Sequence, residues 1–530
     1  MLLMKITGKQ IIGYSTADSK SDTFKSSIAM EDHSGPYLFG EATAANVDEA
    51  AKKANAAFRT YKLLPAADKV EFLETIAAEI NGIRETLVNI AMQETHLPQP
   101  RLNGEIDRTI NQINLFANLL NEGSWVNAII DKAMPDRQPL PKPHICQMQR
   151  PLGPVAVFGA SNFPFAFSVA GGDTISALAA GCPVVYKAHF GHPVTSELVG
   201  KCIAEAAKKT GMPDGVFSLL QGKTTEGGQA LVNHPLIKAV GFTGSLRGGR
   251  ALFDSGVKRE EPIPVYAEMG SVNPVFLLPG KLKDDPEGLA RSLVASNILG
   301  VGQFCTNPGV ILMLRGNDTD RFLKQYAESL TAANGGLMLT DAIYGAYCKS
   351  ITGLESLPSL KSLGKGVSNA NHAIPEAFSV SGADFLKEKS LFEEHFGPVA
   401  LLVVADDEQQ LLEIAENIPG QITNSVWANQ ADVSAYKELF DILEEKAGRV
   451  MINNVPTGVE VTHAMQHGGP YPATTDSRTT SVGSQAIYRF VRPVCYQNFP
   501  QELLPPELQD SNPLNIWRKV DGQLTRDTLA

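Results

Sequence analysis

Cysteine is scarce here and badly spaced for metal or disulfide work: the six residues, at 146, 182, 202, 305, 348 and 495, contain no C-x-x-C pair. That spacing excludes a zinc ribbon and a secreted disulfide framework, and reads as reduced thiols in a cytoplasmic protein. No apolar run reaches the roughly 20 residues that span a bilayer, and the stretch before Lys5 is too short for a secretory signal. Basic segments are missing as well, and a net charge of −11 argues against nucleic acid as a partner. What remains is ordinary for a globular chain: 530 residues, 43% hydrophobic and 19% charged, enough for two or three domains.

The chain opens with strand-like fragments at 10–14 and 37–39 and then turns helical. Asn46 is a candidate N-cap, with Asp48 and Glu49 where carboxylates favour the positive end of a helix dipole. Pro65 opens a second helix that ends near Asn81 and Gly82. From Arg101 to Glu122, Ile106, Ile110, Ile113, Ala117 and Leu120 recur at steps of three and four and mark one buried helical face. Pro135, Pro139, Pro141 and Pro143 then make a stiff, exposed connection. After it, short apolar runs alternate with helical patterns. Those at 154–158, 183–187, 217–220, 238–242 and 264–268 predict a parallel sheet covered by helices on both faces. A second α/β run has strands predicted at 275–278, 310–314, 399–404, 425–428 and 449–452.

Ligands of such sheets lie beyond the carboxyl ends of the strands. Asn162, Lys187, Thr243 to Ser245 and Glu268 all fall there. One polar residue at a strand end is usually just solvated; several converging on one edge point to a site. The segment 244–249 opens a helix whose free N–H groups suit a phosphate, although it is not the dinucleotide fingerprint G-x-G-x-x-G. In Gly302-Gln303-Phe304-Cys305-Thr306-Asn307-Pro308-Gly309, small and flexible residues surround a lone thiol just after a helix-like run. From the octapeptide alone, Cys305 is either a nucleophile or a structural thiol. A cleft between the two α/β runs would set it against Asn162 and Glu268.

Six segments occur in one order: Ser161-Asn162-Phe163-Pro164, Val185-Tyr186-Lys187, Gly241-Phe242-Thr243-Gly244-Ser245, Ala267-Glu268-Met269-Gly270, Gly302-Gln303-Phe304-Cys305 and Glu394-His395-Phe396-Gly397-Pro398. That order resembles the aldehyde dehydrogenase superfamily over nearly the whole chain. Residues 302–309 and 469–478 are similar to a narrower branch, the NADP-linked aldehyde dehydrogenases and the 2,5-dioxovalerate (α-ketoglutaric semialdehyde) dehydrogenases. The resemblance implies an α/β fold of two Rossmann-like domains with the active-site cleft between them. Residues 1–130 and 151–273 would bind the cofactor and 274–483 would carry catalysis. Residues 131–150 and 484–500 would bridge subunits of a homodimer or homotetramer, and 501–530 would form a docked or loose tail. The implied reaction is oxidation of a small-molecule aldehyde to a carboxylate, with 2,5-dioxovalerate the leading substrate and a general or long-chain aldehyde the alternative. A non-catalytic binding protein on the same fold would have no use for Asn162, Glu268 and Cys305 together.

Carried over residue by residue, Cys305 is the implied nucleophile, with the Asn162 amide and the Cys305 backbone N–H as oxyanion donors. Glu268 is the implied base for thioester hydrolysis, and at a partly apolar strand end its pKa is expected to rise toward neutrality. Lys187 resembles the lysine on the adenosine ribose, and Ser245 with Gly244 and Gly249 the pyrophosphate turn. Glu394 and Phe396 resemble the residues on the nicotinamide ribose and ring. Where NAD-preferring relatives often carry a glutamate this chain has Phe190, which no longer repels a 2′-phosphate, so NADP is the expected cofactor and NAD the second candidate. Ser161 stands where an aromatic residue is usual, which predicts a roomier or more polar aldehyde pocket. Phe163, Phe167 and Phe304 either line the aldehyde channel or pack the core, and Arg478 either binds a substrate carboxylate or ties down a loop. His189 and His192 either border the cofactor or sit in solvated loops. His463 and His467, four apart, would share a helical face, but with no third ligand nearby no metal is expected.

Overall fold

The computed structural model describes residues 5–18, 22–30, 35–369 and 371–529; the short apolar stretch before Lys5 lies outside the described residues. The five apolar runs after the proline segment form the parallel centre of a seven-stranded sheet. In space they run Val265–Glu268, Ala239–Thr243, Val155–Phe158, Val184–Lys187 and Phe217–Leu220, followed by the antiparallel Gln10–Ile12 and Ser15–Ala17. These strands read as continuous Val, Ala, Phe and Leu because both faces are covered. On one face Ile175, Leu178, Val184 and Leu219 join Ile106, Ile113 and Phe116 in a single core. On the other, Val47, Ala50, Ala156, Val240 and Ile263 pack together. Strand order reverses between Val155–Phe158 and Ala239–Thr243, so the crevice that such a sheet offers a ligand opens past Phe158 and Thr243.

The second run also forms seven strands, in the order Lys361–Lys365, Glu376–Ser381, Val399–Ala405, Val310–Leu314, Val275–Leu277, Gln421–Trp427 and Ala447–Ile452. All pairs are parallel except the first, which is antiparallel. Glu376–Ser381 escapes the sequence reading because Glu-Ala-Phe-Ser-Val-Ser carries little apolar signal, yet it is buried between two neighbours. A third sheet orders Val491–Gln497, Ile145–Pro151, Ile129–Asp131, Arg518–Val520 and Gln523–Thr525. The last residues are thus docked into the sheet made by the 145–151 and 491–497 strands, and Arg518, fully buried, donates to the carbonyls of Gln509 and Asp527. Among the described residues no helix is long and apolar enough to cross a membrane.

One helix start differs from the sequence reading. Helix Ala44–Tyr61 is capped by Thr43, not by Asn46: the Thr43 hydroxyl accepts from the Asn46 N–H at 3.2 Å, and the Asn46 side chain accepts from the Thr43 N–H at 3.0 Å. Asn46 is the reciprocal member of a capping box, which moves the start three residues earlier. Helix Gln99–Glu122 buries Ile106, Ile113, Ala117 and Leu120 as the periodicity predicts, with Ile110 half-buried at the margin.

Candidate active site

Glu268 ends the edge strand of the first sheet and is fully buried. Its free edge is taken up by a later segment: the Met269 N–H donates to the Ala473 carbonyl at 2.8 Å and the Thr475 N–H to the Ala267 carbonyl at 3.1 Å. That pairing brings His467 and Ser481 over Glu268. Glu268 Oε1 lies 3.0 Å from His467 Nε2, without the alignment of a hydrogen bond, and the Ser481 hydroxyl donates to the other carboxylate oxygen. Cys305 Sγ is 3.5 Å from the same His467 Nε2. The sulfur, imidazole nitrogen and carboxylate oxygen all lie within 4.8 Å of one another. His467 therefore shares no helical face with His463, whose Nδ1 meets the Ser484 hydroxyl at 3.0 Å instead. Gly468, Gly469, Pro470 and Pro472 keep this stretch out of helix.

The electrostatics follow from that packing. Burial, the largest influence, pushes the Glu268 carboxyl up, but His467, Ser481 and Arg489 together outweigh it and hold the pKa below the usual value. This reverses the upward shift expected from the strand-end position, because the sequence gives no sign of the neighbours that favour the ionised form. The Cys305 thiol is pushed well above its ordinary value by burial and by the carboxylates of Glu268 and Glu394, against weaker pulls from Arg108 and Arg449. At rest the sulfur is a thiol, and it needs a base.

Side-chain amides fix the loop that carries the thiol. Asn273 Nδ2 donates to the carbonyls of Cys305 at 2.8 Å, Asn307 at 3.0 Å and Ser271 at 3.2 Å, while Asn307 Nδ2 reaches the Gly397 carbonyl at 3.1 Å. Gly302, at φ +65°, lies so close to Gly397 that an added Cβ would come within 2.2 Å of its carbonyl carbon, so only glycine fits. Val301, at φ +59°, is a β-branched residue in the left-handed region, a strained position next to the thiol loop. Asn162 Nδ2 donates to the Gln303 carbonyl at 3.0 Å, which places one amide hydrogen on this loop and leaves the other for a ligand.

From Cys305 a groove of about 650 Å³ runs along the crevice past Asn162, Glu268, Gly244, Ser245, Glu394 and Phe396 to His189 and Phe190. Ser245 caps helix Leu246–Lys258, its hydroxyl accepting from the Gly248 N–H at 3.2 Å, and Ser245, Arg247 and Gly248 line the groove. Gly249 lets the helix approach the sheet, since a Cβ there would come within 2.6 Å of Met269. Lys187 is half-buried at its strand end, donates to the Gly222 and Ala188 carbonyls, and has its pKa drawn down to about 8 by burial. Glu394 is pushed up to about 8 by burial. Phe190 stacks on His189, and Lys223 Nζ stands 5.8 Å from the Phe190 ring centre. His192 is fully buried rather than solvated, contacting the Ser196 hydroxyl at 3.0 Å and the Ala160 carbonyl at 3.2 Å.

Phe163 packs edge-on against Phe167 and Phe304, with centres 5.2 and 5.5 Å apart, and Phe167 lies 5.8 Å from the His467 ring. The three rings form one cluster, and none of them lines the groove. Arg478 is elsewhere: its side chain is 86% exposed and ion-paired with Asp476 at 2.9 Å, so it ties down its own loop instead of facing the site. His467, Asn273 and Ser481 were not legible as site residues; only a histidine in a glycine-rich coil hinted at the first.

The profile of the aldehyde dehydrogenase family matches residues 20–350 and 386–488. The chain belongs to the aldehyde dehydrogenase family. It is 46% identical to "Alpha-ketoglutaric semialdehyde dehydrogenase 2" of Azospirillum brasilense, over 98% of this chain and 100% of that one. It is 45% identical to "Alpha-ketoglutaric semialdehyde dehydrogenase" of Acinetobacter baylyi, over 98% of this chain and 99% of that one. Among solved structures, a betaine aldehyde dehydrogenase from Staphylococcus aureus superposes with a TM-score of 0.78 at 18% identity, covering 94% of this chain and 98% of the other, a likeness of fold. Aldehyde dehydrogenases use NAD(P), and the groove beside Cys305 is lined by the start of helix Leu246–Lys258 and by Glu394 and Phe396.

Proposed function

We propose that this aldehyde dehydrogenase oxidises 2,5-dioxovalerate to 2-oxoglutarate, with NADP preferred over NAD. The observation that carries the chemistry is the meeting of Cys305, His467 and Glu268 beside Asn162. The substrate rests on the two relatives that match end to end.

His467 Nε2 takes the Cys305 proton as the sulfur attacks the aldehyde carbon, and the imidazolium so formed is held between sulfur and the Glu268 carboxylate. The adduct's oxyanion takes hydrogen bonds from Asn162 Nδ2 and the Cys305 backbone N–H; one such donor typically lowers the barrier by roughly 2.7–4 kcal/mol. A bound nicotinamide supplies the acceptor for the hydride lost from the aldehyde carbon. The thioester on Cys305 is then hydrolysed by water that Glu268, kept ionised by its neighbours, deprotonates. Phe163, Phe167 and Phe304 keep bulk water from this chemistry.

On the cofactor side, Lys187 and Lys223 supply positive charge around Phe190, where a 2′-phosphate would sit, and no carboxylate replaces Phe190 to repel it. Glu394 and Phe396 hold the other end. The third sheet joins subunits: its Val491–Gln497 strand is one edge, and Leu524, on the strand at the opposite edge, is more than 60% exposed. The experiment that tests the reading supplies 2,5-dioxovalerate with each coenzyme, follows reduced coenzyme by absorbance, and identifies the product by mass spectrometry. 2-Oxoglutarate forming in step with NADPH is the expected result; no product with either coenzyme would reject it.

A further inference from the structure

Helix Gln99–Glu122 carries Arg101, Glu105 and Arg108 on one face, at i, i+4 and i+7, and its two arginines lie over the rings of the Phe163, Phe167 and Phe304 cluster. The Arg101 guanidinium lies 5.1 Å from the Phe163 ring centre and 4.6 Å from that of Phe304; Arg108 lies 5.0 Å from that of Phe167. Glu105 spends one carboxylate oxygen on the N–H groups of Phe165 and Ala166, at 2.8 and 3.0 Å. Among the described residues neither arginine forms an ion pair with it or with any other carboxylate. Arg101 is partly used: one terminal nitrogen donates to the Asn162 carbonyl at 2.7 Å, and the other backs onto Gly300. Arg108 is almost unused. Its Nε makes one long bond of 3.4 Å to the Val459 carbonyl, and both terminal nitrogens are buried without a partner.

Other arginines are better supplied, although Arg449 and Arg518 each leave Nε buried without a partner and Arg101 leaves one terminal nitrogen so; Arg108 is the one with both terminal nitrogens unpartnered among the described residues. Arg489 pairs with Asp173 at 3.0 Å and with the Thr479 hydroxyl, and Arg449 donates to the carbonyls of Gly458 and Pro456. A buried, always-charged fork with two free donors is costly unless something else completes it. Its shape matches a carboxylate, which it holds through two parallel bonds. It also stands close enough to Cys305 and Glu268 for each to feel its charge.

We propose that Arg108 is the carboxylate anchor of the aldehyde pocket, with Arg101 adding charge behind it, so that the site selects aldehydes carrying a terminal carboxylate. This deepens the semialdehyde reading above and rests on it. With the carboxylate on Arg108 and the aldehyde carbon at Cys305, a chain of five carbons spans roughly 5 Å between its end carbons. An aldehyde without the carboxylate leaves the fork buried and unpaired, and a site built around such donors rejects ligands lacking the partner far more strongly than a greasy pocket does.

The test compares 5-oxopentanoate with pentanal, equal in length and differing in the carboxylate, for the wild type and for Arg108→Met, Arg108→Lys and Arg478→Ala. The wild type should favour the oxo acid by at least about 100-fold in kcat/KM. Arg108→Met should cut that ratio at least about tenfold, mainly through the KM of the oxo acid, with Arg108→Lys between and Arg478→Ala unchanged. Competitive inhibition by glutarate should weaken in parallel. If Arg108→Met proves unfolded by circular dichroism, Arg108→Gln carries the same comparison. A wild type that prefers the oxo acid while the Arg108 variants keep the full ratio overturns the assignment of the anchor. A wild type with no preference overturns the semialdehyde reading itself.

Discussion

Replacing His467 with asparagine removes the imidazole that stands 3.5 Å from Cys305 Sγ while leaving a polar group against Phe167. Burial and the carboxylates of Glu268 and Glu394 already hold the Cys305 thiol well above its ordinary pKa, so the sulfur ionises only if its proton has somewhere to go. A positioned general base is worth about 10²–10⁴-fold, or about 2.7–5.4 kcal/mol at 1.36 kcal/mol per factor of ten. A second effect has a definite sign. The Glu268 pKa is low because His467, Ser481 and Arg489 outweigh burial; without His467, burial regains ground and the pKa rises. A base that titrates higher is protonated at higher pH, so the acidic limb of steady-state turnover should move toward neutrality. Stopped-flow bursts of reduced coenzyme and iodoacetamide alkylation rates, both across the pH range, separate the two effects. Alkylation and burst rates equal to wild type at every pH, with an unmoved acidic limb, would refute the role assigned to His467.

Lys223→Ala should raise the KM for NADP about tenfold while changing that for NAD little, the size of one lost charge-assisted contact to phosphate; parallel coenzyme titrations check it. Asn273 sits at φ +47°, so Asn273→Gly keeps the backbone comfortable and removes only the side chain that serves three carbonyls. A loss of about 1–3 kcal/mol in denaturant unfolding is expected, with a lower kcat because the thiol loop loosens. Glu268, Cys305 and His467 place a carboxylate, a thiol and an imidazole within 4.8 Å of one another, the ligand types that zinc favours once the thiol gives up its proton. Micromolar-range Zn²⁺ should therefore inhibit turnover and a chelator should restore it; full activity in excess zinc would show that the three cannot share an ion.

Much of the fold was legible because parallel strands buried on both faces are written as unbroken apolar runs. Val310–Leu314 and Phe217–Leu220 stand where the runs predict. The polar residues at their carboxyl ends were readable for the same reason: Asn162, Ser245 and Glu268 line one groove, while Lys187 ends the strand Val184–Lys187 beside it. His467 left no comparable trace. It reaches Cys305, 162 positions away, only because residues 473–475 pair along the edge of the Glu268 strand, a long-range contact that no local pattern encodes. The pKa of Glu268 was misjudged as a consequence, since burial alone points upward and the neighbours that reverse it come from that same segment. Arg478 and Arg108 differ in what their sequence neighbours cannot show: Arg478 is 86% exposed and paired with Asp476, while both terminal nitrogens of Arg108 are buried without a partner.

The most direct test of the account is to trap the covalent intermediate. Glu268→Gln leaves Cys305, His467 and Asn162 in place and removes the base assigned to hydrolysis, so mixing it with NADP and 2,5-dioxovalerate should give one burst of NADPH and then almost no turnover. Intact-protein mass spectrometry at that point should find one acyl group per chain, located on Cys305 by peptide mapping. Steady turnover in the variant, or a burst with no adduct on Cys305, would contradict the mechanism.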